Sequence, residues 1–151
     1  MNAKAVSSGG AVLLDTNVLS ELLRVQPDPA VLAWFAAQDQ GQLFVSAVTQ
    51  AEMLLGAHLL PAGKRRAQLR HALDALFRDD FAGRVLPFDA AAAASYAPVV
   101  TARRRAGRPI AQFDAQIAAI ATARGAALAT RNTADFEGCG VELHNPWRHV
   151  A

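Results

Sequence analysis

The chain has one cysteine, Cys139, among 151 residues. A lone thiol excludes an intrachain disulfide and a zinc centre built on cysteines, and it suits a cytoplasmic protein. Long apolar runs are also missing. The longest uncharged stretch, Ala90 to Ala102, spans 13 residues and contains Ser95 and Pro98. A bilayer-spanning helix needs about 20 apolar residues, so no membrane association is expected. Ser7-Ser8-Gly9-Gly10 interrupts any apolar core of a leader, so no secretory signal is expected either. Lysine is scarce: Lys4 and Lys64 are the only two among 15 cations, and the other 13 are arginines. No internal repeat and no long linker is present.

What remains is the composition of one soluble globular domain, 52% hydrophobic and 19% charged. At this length about 70% of the unfolded surface can be buried. The net charge of +2 is too small for a protein that coats nucleic acid. The arginines nevertheless cluster, as Arg65, Arg66 and Arg70, and as Arg103, Arg104, Arg105 and Arg108. A guanidinium is a planar fork suited to phosphate, although a solvated helix face explains either cluster equally well.

Residues 1–10 read as a flexible lead-in and residues 11–151 as the domain. Ala11-Val12-Leu13-Leu14 is a short apolar run ending at Asp15, the pattern of a buried parallel strand. Leu43-Phe44-Val45, Arg84-Val85-Leu86, Ala126 to Ala129 and Val141-Glu142-Leu143 are further strand candidates. Helical patterns lie between them. Pro98, inside an alanine-rich helix opened by Asp89, predicts a kink or break, and Gly107-Arg108-Pro109 predicts the start of the helix that carries Asp114. Strands alternating with helices imply a three-layer α/β fold with a mainly parallel sheet.

Ligands of such sheets bind beyond the carboxyl ends of the strands. Asp15 closes the first strand, Glu52 lies early in the helix after the second, Asp114 lies early in a later helix, and Asn132 and Asp135 follow the fourth strand. Singly, each acid reads as a helix cap or a first-turn acid favoured by the helix dipole. Together they are costly, because two carboxylates about 4 Å apart repel by roughly 4 kcal/mol at an effective dielectric of 20. Four need a cation. Oxygen ligands, with no cysteine cluster and with His58, His71, His144 and His149 scattered, favour Mg²⁺ or Mn²⁺ over zinc.

The segments Leu13-Leu14-Asp15-Thr16-Asn17-Val18-Leu19-Ser20-Glu21, Val45 to Glu52, Asp114 to Ala121 and Ala129 to Phe136 resemble the PIN-domain ribonucleases, and more narrowly the VapC toxins of the FitB-like branch. Leu86-Pro87-Phe88-Asp89 and Asn145-Pro146-Trp147 share that resemblance. The four acids fall in the family's order, at intervals of 37, 62 and 21 residues. The resemblance implies a PIN-like α/β/α fold with a five-stranded sheet, and cleavage of RNA with Mg²⁺ or Mn²⁺ to a 5′-phosphate and a 3′-hydroxyl. Asp15, Glu52 and Asp114 match the family's core acids. Asn132 stands where some relatives carry an acid, and Asp135 matches the acid of others, so Asp135 is expected as a metal or water-held ligand with Asn132 assisting. Thr16 and Thr130 match hydroxyl residues beside the site. Arg103, Arg104, Arg105, Arg108 and Arg131 are the candidates for holding flanking phosphates at the rim.

A cognate antitoxin of the VapB or FitA kind, operator DNA contacted only through it, and a homodimer are further implications of the resemblance. Trp34, Phe35 and the apolar face from Leu69 to Phe77 offer surface either to a partner or to the core. Two other readings stand beside this one: a PIN-like module that binds RNA or protein without cleaving, and a receiver-type domain. The receiver needs a lysine after a late strand, which this sequence lacks.

Overall fold

The computed structural model describes residues 10–150; of the expected lead-in, all but Gly10 lies outside them. Five strands form one sheet: β1 Val12–Leu14, β2 Leu43–Ser46, β3 Val85–Leu86, β4 Ala127–Ala129 and β5 Leu143–His144, in the order β3-β2-β1-β4-β5. Every pairing is parallel, with Leu13 opposite Phe44 on one side and Leu128 on the other. Among the described residues six α-helices connect and flank them: α1 Thr16–Leu22, α2 Pro29–Ala36, α3 Ala47–His58, α4 Lys64–Ala75, α5 Ala90–Arg105 and α6 Gln112–Arg124.

The pleat of each strand sorts its side chains into two cores. Val12 and Leu14, Leu43 and Val45, and Ala129 face one side, where they pack with Val18, Leu19, Trp34, Ala57 and Leu73 from α1 to α4. Leu13 and Leu128 face the other, against Ala92 and Val99 of α5 and Ile117, Ala118, Ile120 and Ala121 of α6. The result is the three-layer arrangement that the alternating pattern implies. Trp34, Leu73, Leu76 and Phe77 are buried in the first core, and Phe35 and Leu69 pack partly buried against it.

Several expected boundaries shift. Helix α5 runs unbroken through Pro98. Both Pro98 and Ala94 are exposed, so water can serve the carbonyl that proline leaves without a donor, while Val99 and Arg103 bury the opposite side. Helix α6 begins at Gln112 rather than Pro109, which leaves Asp114 in its first turn. Gly125 ends it with φ +61°, a left-handed stop that glycine makes without strain. Strand β5 starts two residues later than expected, at Leu143.

Strands β1, β2 and β3 step one way across the sheet, and β4 and β5 step the other. The reversal falls between β1 and β4, and the carboxyl ends of these two strands open a crevice of the kind that takes ligands in α/β sheets.

Candidate active site at the β1/β4 crevice

Asp15 sits at that crevice. Its N–H continues the ladder to the Ala129 carbonyl (2.9 Å), and its Oδ1 accepts from the Thr16 N–H (2.8 Å), capping α1. Its Oδ2 accepts from the Thr130 hydroxyl across the crevice (2.7 Å). One buried side chain thus caps α1 and reaches across the crevice. Burial pushes its carboxyl above the usual range, the Thr130 and Thr16 hydrogen bonds oppose this, and the charges of Glu52 and Asp135 add to it.

Glu52, in the second turn of α3, accepts from the Thr16 hydroxyl (2.7 Å). That hydroxyl also meets the Thr49 hydroxyl at 2.9 Å, so a short polar chain ties α3 to the start of α1. Asp114 stands half-buried in the first turn of α6. Burial, followed by the charges of Asp15, Asp135 and Glu52, pushes its carboxyl up to about 6, against some lowering by Arg103. Four acids from four segments thus act on one another, as the sequence pattern implies.

A cavity of about 520 Å³ opens here, walled by Asp15, Glu52, Asp114 and Asn132 together with Arg24, Arg131 and Trp147. Asn132 contributes to this wall and Asp135 does not. Asp135 is exposed beside it, in the turn Thr133–Phe136, yet close enough for its charge to raise both Asp15 and Asp114. Thr130 holds this segment as well, accepting from the Asn132 N–H (3.1 Å).

Of the five rim arginines expected, Arg131 alone walls the cavity, its guanidinium 5.1 Å from the centre of the Trp147 ring. Arg104, Arg105 and Arg108 are exposed at and beyond the end of α5, and Arg108 pairs with Glu137 (3.3 Å). Arg103 is not at the rim. It is 5% exposed and donates to the carbonyls of Arg108, Asp135 and Glu137, joining α5 to the segment that carries Asp135. Its place follows from helical spacing: Val99 and Arg103 are four apart and share the buried face of α5.

Residues beyond the candidates of the sequence analysis also shape the crevice, Arg24, Asn17, Thr49 and Trp147 among them. Asn17 donates to the Thr130 hydroxyl (3.4 Å) and accepts from the Arg131 N–H (3.3 Å); its place two residues after Asp15 was the available signal. Thr49 precedes Glu52 by three on one helical face, another legible signal. Trp147, near the far end of the chain, is marked in the sequence only by the resemblance of Asn145-Pro146-Trp147.

Among the described residues, no three acidic, histidine or cysteine side chains are gathered closely enough to form a ready-made ion cage. The donor set nevertheless suits a hydrated hard cation. Every candidate ligand is an oxygen, burial and then neighbouring charges raise the carboxyls of Asp15 and Asp114, and Mg²⁺ keeps several of its waters and takes one or two carboxylates directly.

Residues 12–138 match the PIN domain family. The chain is 46% identical over 136 residues to the VapC ribonuclease Y4jK of Sinorhizobium fredii, covering 90% of this chain and 97% of that protein. It is 42% identical over 136 residues to the toxin FitB of Neisseria gonorrhoeae, covering 90% of this chain and 98% of the toxin. The structure of FitAB bound to an IR36 DNA fragment superposes with a TM-score of 0.86 at 41% identity, covering 93% of this chain and 98% of that one. With a match across most of its length, and the acids where the sheet reverses direction, the chain belongs to the PIN-domain family, in the group that includes VapC ribonucleases and the FitB toxin.

Proposed function

We propose that this chain is a divalent-metal-dependent endoribonuclease that serves as the toxin of a toxin–antitoxin pair. The observation that carries this reading is the convergence of Asp15, Glu52 and Asp114 on one cavity at the β1/β4 crevice, where burial and then the neighbouring charges raise the carboxyl of Asp114. RNA as the substrate is supported by the name of the VapC ribonuclease relative.

Mg²⁺ or Mn²⁺ would be held by Asp15, Glu52 and Asp114, with Asp135 acting through a water and Asn132 assisting. When bound, such an ion lowers the pKa of a coordinated water and stabilises charge on the scissile phosphate and the leaving oxygen. The chain's own contribution is positional. Thr130 and the Thr16 N–H lock the Asp15 carboxylate from two sides. The Thr16 hydroxyl, anchored on Thr49, aims Glu52. Arg131, lying over Trp147, holds a phosphate beside the cut, and exposed Arg104, Arg105 and Arg108 offer further phosphate contacts.

We take residues 11–151 as one PIN domain preceded by a short lead-in. The FitAB complex with DNA supports a FitA- or VapB-like antitoxin as the partner, with operator DNA reached through it; a homodimer completes the assembly, and light scattering at micromolar concentration reads it directly. The amide at Asn132 favours one alternative, a PIN-like module that binds RNA without cutting it.

Purified protein incubated with RNA and Mg²⁺ separates the two readings. Cleavage should appear, stop with a chelator, and fall by orders of magnitude in Asp15→Asn. That variant keeps an oxygen for the Thr16 N–H, while it loses the charge and the acceptor for the Thr130 hydroxyl. RNA binding without any cleavage would establish the non-cleaving module instead.

A further inference from the structure

We propose that Arg24 is a second phosphate-binding residue for the RNA strand, held in place by Glu21 on the side of the acid cavity away from Arg131. This rests on the ribonuclease reading above.

Arg24 lies two residues past the end of α1. Glu21, in the last turn, is 7% exposed, and its Oε2 accepts from the Asp28 N–H (2.8 Å). A carboxylate so deeply placed requires a compensating charge. Arg24 supplies it, with Nη1 at 3.3 and 3.4 Å from the two oxygens. A merely solvated i,i+3 pair would not have its acid buried and anchored to the backbone of the next helix. The anchored acid fixes where the arginine stands. Among the described residues, Nη1 is the one donor of the Arg24 side chain with a hydrogen-bond partner, and the side chain is 66% exposed. Much of its fork is therefore free to meet an anion.

Its position matters for charge. Asp15, Glu52 and Asp114 in the cavity wall repel an approaching phosphodiester, and Arg24 and Arg131 are the cations in the same wall. Arg131 follows β4. Arg24 also lines an adjoining apolar cavity with Met53 and Gly56 of α3, the helix that follows β2. Strand β1, which ends at Asp15, lies between β2 and β4. The two guanidiniums thus bracket the central acid. A single strand crossing the cavity would have one phosphate held on each side of the bond that is cut, which is how phosphate contacts set register without reading sequence.

The test uses the full chain and a fluorescein-labelled single-stranded RNA, with affinity read by anisotropy across a salt series in a chelator so that nothing is cut. Arg24→Gln keeps a donor for Glu21 and removes the charge. It should weaken binding about fivefold or more. The slope of log affinity against log salt should drop by about 0.7, the amount expected for one lost phosphate contact on a single strand. Arg24→Lys should fall between wild type and Arg24→Gln, since it keeps charge without the fork. Arg78→Ala, a matched charge removal outside the site, should bind like wild type. In Mg²⁺, Arg24→Gln should raise KM more than it lowers kcat. Wild-type affinity and slope in Arg24→Gln, beside tight binding by the unmodified chain, would overturn this proposal and leave the ribonuclease reading standing. Failure of the unmodified chain both to bind RNA in chelator and to cleave it in Mg²⁺ would overturn both.

Discussion

Asp114 shows how one residue reports the state of the whole site. Its carboxyl is pushed up to about 6, first by burial and then by the charges of Asp15, Asp135 and Glu52. A carboxyl whose folded pKa lies above its unfolded value opposes folding when ionised, and the opposition is relieved as it protonates. In chelator, the chain should therefore become more stable as pH falls from about 6 toward 4, the reverse of the usual behaviour of paired acids. Asp114→Asn should flatten that segment of the profile. Thermal melts at several pH values check it, and a wild-type Tm that falls steadily across this window while Asp114→Asn follows in parallel would show that the carboxyl is not strained. Asn132 and Asp135 were harder to separate from sequence. Both follow β4 by a few residues, and a strand-end pattern does not say which faces inward. The Thr130 hydroxyl decides it by holding the Asn132 N–H, which brings the amide into the wall and leaves Asp135 outside.

At the level of elements, the strands and their order of burial were legible because each is a short apolar run whose alternate residues feed two cores. Helix limits were less so. Pro98 signals a break by local propensity, yet the packing of α5 on α6 outweighs one absent donor at an exposed turn. Arg103 misleads for a similar reason: in sequence it belongs to an arginine cluster, and in the fold its position on the buried face of α5 removes it from the rest. There it serves three backbone carbonyls from Arg108 to Glu137. Arg103→Met should leave those carbonyls without a partner and cost about 2–4 kcal/mol. It should also reduce cleavage, because the segment carrying Asp135 loses its tie. Arg103→Lys should recover part of the stability but less of the activity, since an ammonium cannot span the same fork. Urea denaturation and RNA cleavage measured on both variants test this. Wild-type stability in Arg103→Met would show that the tie is dispensable.

Across the whole molecule, the parallel sheet places every strand's carboxyl end on one edge, and the reversal between β1 and β4 concentrates acids there without cations enough to match them. Asp15, Glu52 and Asp114 share a wall with Arg24 and Arg131, and Arg24 is already engaged by Glu21. The fold thus holds a local excess of negative charge that its packing sustains, and a divalent ion binding the folded state alone would relieve it. At 100 times its dissociation constant, such an ion adds about 2.7 kcal/mol of stability. For a domain of this size that corresponds to roughly 5–10 °C in Tm. Melting in chelator and then in millimolar Mg²⁺ should show the rise. Asp114→Asn should start from a higher Tm in chelator, because repulsion is removed, and should gain less from the ion. These two changes have opposite signs and a common origin, so they separate a metal site from generic salt effects, which would shift both proteins alike. An equal Mg²⁺-induced rise in wild type and Asp114→Asn would mean that the ion acts elsewhere on the molecule and is not held by Asp114.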